Sequence, residues 1–322
     1  MRADQRHAQA TECFAFTWRR RSKGPGFRWQ RDPEGRTLLV GPPQDSLQPY
    51  EPLVEETGLF LTFAHLAATP DAFLRFANRY GRLGTYHRYG PEQGEPLDQW
   101  RLHHRWMRFL TELRSACLGK RPVLERCVKW EGDAVVFHFP KIGTGVEELW
   151  RHRGRLRRHL LDRRGAALFQ PGDLVGPGTW FLAYAIEDWL KELKEWDKPI
   201  TPRMIWSEAE RQPQLVFGPS SLLGAMVCQL AAAVHGGWPF QECAYCHKFF
   251  RLQPGVNRAN RLTCSQTCKQ YLHNRRVQRA QELAAKGWKI RQIIRELHVK
   301  PRGSKSSIAL VKGWIDRNYP GR

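Results

Sequence analysis

With 322 residues, 41% of them hydrophobic, and 13 tryptophans, the chain has enough apolar mass to build its own core, which excludes disorder along its whole length. Its net charge of +21 is unevenly placed: Cys243 to Arg322 holds 18 Lys/Arg against Glu282, Glu296 and Asp316, whereas the first 242 residues hold 34 basic against 28 acidic residues. The eight cysteines are not spaced as a secreted disulfide scaffold, residues 1–12 contain no apolar signal-peptide core, and the longest apolar stretch, Leu222 to Val234, is too short to span a bilayer, so a cytoplasmic protein without a membrane segment is expected.

From Cys13 to Val40, three short stretches (CFAFTWRR, FRWQR and RTLLV) are separated by Gly24-Pro25-Gly26 and Asp32-Pro33-Glu34-Gly35, a hairpin pattern. The Pro-rich residues 41–58 read as loop. Residues 59–80 divide into two helices, with Thr69 or Asp71 capping the second and Pro70 in its first turn. Leu97 to Leu118 is a further helix. Residues 123–130 and 134–139 predict a hairpin around Glu131-Gly132-Asp133, and residues 147–164 a strongly basic helix that includes Arg151, Arg153, Arg155, Arg157, Arg158, Arg163 and Arg164. Trp180 to Trp196 has an amphipathic pattern. Leu222 to His235 is apolar almost all round, as a buried helix is, and Gly236-Gly237 ends it. Residues 1–240 therefore read as a mixed α+β domain whose aromatic residues fill a core. His103, His104 and His138 lack the ligand spacing of a metal site, and no phosphate loop, G-x-S-x-G or H-E-x-x-H pattern occurs, so no catalytic residue is assigned.

The four remaining cysteines lie within 26 residues: Cys243-Ala-Tyr-Cys246, a linker of seventeen residues, then Cys264-Ser-Gln-Thr-Cys268. Two residues between the first pair let a tight turn aim both sulfurs at one ion. Three between the second pair place the sulfurs one turn apart at the start of a helix running on to Arg276. Thiolates at these spacings suit tetrahedral Zn2+, and four ligands with no open position predict one structural ion. His247 is the weaker alternative ligand. Phe249 and Phe250 are expected in a short strand beside the metal. A knuckle followed by a helix-borne pair is the treble-clef arrangement.

Residues 243–276, CAYCHKFFRLQPGVNRANRLTCSQTCKQYLHNRR, resemble the CGNR-type treble-clef zinc finger of bacterial proteins in the C-x-x-C, the Phe-Phe pair, the basic loop and the helix-borne second pair, and Leu222 to Phe240 looks like the approach to that finger. Of the motif that names the family only Cys268 is kept; Lys269-Gln270-Tyr271 follows it. The resemblance implies a DNA-binding transcription regulator.

Beyond the finger, Val277, Ala280, Leu283 and Ala284 share one helix face over 277–286, and Ile290, Ile293, Ile294 and Leu297 another over 289–297. After the linker Val299 to Lys305, Ile308, Val311 and Ile315 point inward over 306–317, with Trp314 beside them. Three short helices predict a helix-turn-helix-like tail with the third as recognition helix. The expected organisation is an N-terminal domain over 1–240, a zinc finger over 241–276 and a basic tail over 277–322. Candidate nucleic-acid contacts are Arg258, Arg261, Lys269, Arg275, Arg276 and Arg279, then Arg302, Lys305, Ser306 and Lys312, with Ser306 and Arg302 placed for base edges. The leading expectation is a zinc-dependent regulator, not an enzyme, that binds double-stranded DNA, with a homodimer compatible and an unknown effector acting on the N-terminal domain. The alternatives are an RNA-binding or ribosome-associated protein, for which the Arg151–Arg164 segment and the tryptophans would serve, and a treble-clef nuclease, for which only His247 lies between the cysteine pairs.

Overall fold

Helices and sheets are interspersed as an α+β chain in the computed structural model, which describes residues 16–22, 24–42, 46–84, 94–119, 121–139, 155–161, 165, 167–197, 200–207, 212–237, 239–252, 261–299 and 306–316. The chain separates into two units, Met1–Phe240 and Gln241–Arg322, each described by itself.

In the first unit β2 (Arg28–Arg31) and β3 (Thr37–Val40) form the hairpin expected around Asp32–Gly35, and Asp32 Oδ1 accepts the Arg36 N–H at 2.8 Å to close the turn. The other edge of β3 takes β5 (Glu95–Pro96). Strand β1 (Trp18–Arg21) does not join them. It pairs antiparallel with β4 (Leu47–Tyr50), and α1 (Pro52–Glu55) follows, so the Pro-rich stretch expected as loop is partly ordered structure. Pro49 fits a two-stranded ribbon, where an outer edge needs no N–H.

Helices α2 (Leu59–Ala64) and α3 (Pro70–Tyr80) are the expected pair, with Thr69 Oγ1 accepting the Ala72 N–H at 3.3 Å and Pro70 opening the helix. Helix α4 (Leu97–Cys117) packs its buried Trp100 among Phe63, Phe73 and Phe76, with ring centroids 5.8–6.1 Å apart. A second aromatic group joins Phe137, Phe139 and Phe181 at 4.7–5.6 Å. The aromatics are thus core, and His104 belongs with them: its Nε2 meets the Leu66 carbonyl at 3.1 Å while its ring lies edge-on to Phe63 and Phe73.

Helix α5 (Arg121–Cys127) occupies residues expected in a strand, and β6 (Val128–Glu131) begins only after it. Antiparallel to β6 runs β7 (Ala134–His138), whose Ala134 to Phe137 are all buried. A strand apolar on both faces belongs in the middle of a sheet, and β8 (Arg155–Arg158) supplies the second neighbour. That corrects the helix expected over 147–164. Arginine favours helix, but Leu156 buried between exposed Arg155 and Arg157 is a period of two, and charged residues suit an edge strand. Arg151, Arg153, Arg163 and Arg164 lie outside the described residues.

Helix α6 (Val175–Asp197) starts five residues before Trp180, because Asp173 Oδ1 accepts the N–H groups of Val175 and Gly176 at 3.0 and 3.2 Å. Next come the long antiparallel strands β9 (Ile200–Ser207) and β10 (Gln212–Pro219), in a stretch where Pro202, Pro213 and Pro219 mask the strand pattern. Helix α7 (Leu222–His235) is buried along most of its length, and Ser221 Oγ caps it by accepting the Gly224 N–H at 3.0 Å. Gln229 interrupts its apolar run without cost in unmet bonds: Nε2 donates to the carbonyls of Pro52 and Glu56, and Oε1 accepts the Phe60 N–H.

Glu95 is fully buried, which only a complete set of donors makes tolerable. Its Oε2 accepts the Leu83 N–H and the Trp100 indole N–H, both at 3.0 Å, and its Oε1 accepts the Gly84 N–H at 2.5 Å. Gly84 adopts φ +87°, and a Cβ there would stand 2.6 Å from the Ser221 Cβ, so only glycine brings this loop against the start of α7. Glu95→Ala orphans three donors and is expected to lower the unfolding free energy by about 3 kcal/mol, with Glu95→Gln retaining more of it. Urea denaturation of the full chain reads this; equal stability of the alanine variant would contradict it.

The second unit contains β11 (Phe240–Glu242, beginning at the boundary), β12 (Phe249–Arg251), α8 (Gln266–Ala285), α9 (Ile290–Glu296) and α10 (Ser307–Ile315). The three helices share a core of Ala280, Leu283, Ile293 and Val311, with Ile290, Ile294, Leu297, Trp314 and Ile315 against it. Gly287, at φ +81°, makes the turn out of α8. Two expectations need adjustment. Ile308 is exposed rather than inward, and α8 runs unbroken through residues 276–277, where the finger was divided from the tail.

Candidate metal centre

The knuckle is built by backbone bonds that follow from its short spacing. The Cys243 N–H donates to the Lys248 carbonyl at 2.9 Å and the His247 N–H to the Cys243 carbonyl at 3.0 Å. His247 takes φ 59°, which turns the chain back into β12. The returning end of the linker is held by the Ala244 N–H donating to the Leu262 carbonyl at 2.8 Å. Ser265 then caps α8, its Oγ accepting the Cys268 N–H at 3.1 Å, and this orients the second pair.

These elements bring the four sulfurs of Cys243, Cys246, Cys264 and Cys268 within 4.8 Å of one another. Cys264 Sγ lies 3.6 Å from Cys246 Sγ and 3.5 Å from Cys268 Sγ. A disulfide requires about 2.05 Å, so these are thiols. Tetrahedral thiolates around an ion at about 2.3 Å stand about 3.8 Å apart, close to the spacing found. The donor set therefore fits a four-coordinate soft or borderline metal ion. Cys243 is fully buried and the other three are half-buried. Burial would raise the Cys243 thiol, but the N–H groups of Cys246, Cys264 and Tyr245 directed at its sulfur bring it down to about 6. Burial and the surrounding sulfurs push Cys264 up to about 12. A bound cation would replace the protons that make neighbouring thiols unfavourable to ionise.

His247 is not part of this group. Its Nδ1 meets Glu242 Oε1 at 2.8 Å, which sets aside the alternative ligand. Arg261, a candidate phosphate contact, also braces the centre: Nε donates to the Thr263 carbonyl at 2.8 Å, a terminal nitrogen donates to the Cys264 carbonyl, and the guanidinium lies over the Phe250 ring at 5.2 Å. Phe250 itself is buried in β12, as its place beside the cysteines predicts.

Lys269, Arg275 and Arg276 are exposed on α8 and have no ion-pair partner among the described residues, whereas Arg279 pairs with Glu282 at 2.9 Å at the surface. Lys312 is exposed on α10. The Ser306 hydroxyl caps α10 by accepting the Ala309 N–H at 3.2 Å, which leaves its proton and a second lone pair to offer a partner. Arg258, Arg302 and Lys305 lie outside the described residues. The capping role of Ser265 was missed, although a serine three places before a helix-borne cysteine was a signal for it. The bracing role of Arg261 had no such signal, because it depends on where the linker returns.

Among the described residues no helix is long and apolar enough to cross a membrane. Comparison of the chain with protein-family models, with curated proteins and with solved structures returns no match.

Proposed function

We propose that the chain from Gln241 onward is a zinc-held nucleic-acid-binding module serving a DNA-binding regulator. Cys243, Cys246, Cys264 and Cys268 hold one structural Zn2+ in a treble-clef arrangement, and α8 to α10 form a helix-turn-helix-like unit that grips a duplex. The convergence of the four sulfurs carries the metal reading. The resemblance to CGNR-type fingers supports the DNA reading, and the Met1–Phe240 unit is then the place for a sensing or interaction role. A four-thiolate zinc centre carries two negative charges, and the Arg261 guanidinium at the Cys264 carbonyl suits it.

The support for a polyanion partner is physical. Metal ligation anchors the first turn of α8, and the same helix presents Lys269, Arg275 and Arg276 to solvent with no ion-pair partner among the described residues. Such cations release counterions from a phosphate backbone, so affinity falls steeply with salt, by a slope of about −0.9 per phosphate neutralised. Titration of the full, zinc-loaded chain against labelled duplex DNA, single-stranded DNA and RNA at several salt concentrations tests this. The double change Arg275→Ala, Arg276→Ala is expected to weaken binding about tenfold or more and to flatten the slope by about 2. Zinc-loaded protein that binds no nucleic acid would sink the reading.

A further inference from the structure

Tyr245 and Tyr271 are stacked, with ring centroids 5.2 Å apart and planes 11° from parallel. Tyr245 has a structural reason to be where it is, since it sits inside the knuckle and its N–H is directed at the Cys243 sulfur. Tyr271 has no such reason. It is 52% exposed, and its ring lies stacked on that of Tyr245. The inward face of α8 is marked by buried Val277 and Ala280 and by His273, whose ring meets Trp314 edge-on at 5.8 Å. Tyr271 precedes His273 by two residues, a rotation of about 200° around the helix, so it stands on the opposite side from that core.

An exposed aromatic ring is itself unusual in this chain. Among the described residues the large exposed aromatics are Tyr271 and Trp288, and both belong to the basic unit. Arg275 lies one turn beyond Tyr271 on the same helix face, exposed and without an ion-pair partner among the described residues. A half-exposed flat ring and an exposed guanidinium about 6 Å along match the two halves of a nucleotide: a base to stack and a phosphate to neutralise.

We infer that the Tyr245–Tyr271 stack is a platform for one unpaired nucleobase, with Arg275 on the adjoining phosphate. The inference rests on the nucleic-acid-binding reading above and adds to it: besides the duplex gripped by α8 to α10, the module takes an unpaired base, because the faces of a paired base are occupied by its stacked neighbours. Stacking is tolerant of base identity, so DNA and RNA strands share the chemistry.

The test uses the full, zinc-loaded chain and strands of about 12 nucleotides carrying a central 2-aminopurine, as DNA, as RNA and as blunt duplex. Binding to a single strand is expected to quench 2-aminopurine fluorescence. Tyr271→Leu is expected to weaken single-strand binding about tenfold and to remove the quench, with duplex affinity unchanged, while Tyr271→Trp keeps both. Should the leucine variant lose its metal, Tyr271→Gln at the same exposed position replaces it with the same expectation. Duplex binding without single-strand quenching, or equal single-strand affinity of Tyr271→Leu and wild type, overturns the platform and leaves the nucleic-acid reading standing. Binding to none of the three probes ends both.

Discussion

Chelation of the metal, or the single change Cys264→Ser, is expected to unfold the Gln241–Arg322 unit while the Met1–Phe240 unit stays folded. The shared core of the three second-unit helices has just four buried side chains among the described residues, Ala280, Leu283, Ile293 and Val311, three of them small or β-branched. So small a shared core leaves the unit dependent on its metal for much of its stability. Closure of a four-thiolate site contributes on the order of 10 kcal/mol of folding free energy, comparable to the entire stability of an ordinary domain. Serine at Cys264 removes the sulfur that lies 3.6 Å from that of Cys246 and 3.5 Å from that of Cys268, so the remaining three cannot complete the tetrahedron. His247 cannot take its place while its ring is turned to Glu242. Zinc content and thermal unfolding of the full chain followed by circular dichroism read the effect: one of two transitions should disappear. Retention of stoichiometric zinc with a native spectrum in Cys264→Ser would overturn the ligand assignment.

The metal group was the most legible feature because its information is local. The spacing of Cys243, Cys246, Cys264 and Cys268 alone says that four sulfurs can converge, and they do. The helix opened by Thr69-Pro70 was legible for the same reason, as was the nearly all-apolar run of α7, whereas the Ser221 cap was not read. What could not be read were pairings across long separations. Leu156 looks like part of an arginine-rich helix until Ala134 to Phe137, apolar on both faces, require a second neighbour strand. β1 reaches past β2 and β3 to β4, and nothing in the local pattern of either strand specifies that choice. Among the site residues, Arg261 shows the same limit. Its charge suggested a phosphate but not its bonds to the carbonyls of Thr263 and Cys264, and Tyr271 emerged only once its ring could be placed on the outer side of α8.

Acidification is expected to weaken the first unit through His103. The residue is buried between α4 and α6, stacked on Trp189 at 6.0 Å, and neither ring nitrogen has a hydrogen-bond partner among the described residues. Burial pushes its pKa down from 6.5 to about 3, so the folded chain holds it neutral. In the unfolded chain the same imidazole takes a proton below about 6.5. The unfolded state therefore binds more protons throughout the window between those values. Its contribution is intact above pH 6.5 and declines as pH falls toward 3, by on the order of 4 kcal/mol at the lower end. His104, lowered by burial despite its contact with the Leu66 carbonyl, acts in the same direction. His103→Phe keeps an aromatic ring against Trp189 and removes the titrating group, so it should flatten the pH dependence even if its stability at neutral pH changes. Hydrogen exchange of the α4 amides in the full chain, measured from neutral to mildly acid pH, isolates the first unit from acid release of the metal in the second. An unchanged pH slope in His103→Phe would move the acid sensitivity to another group.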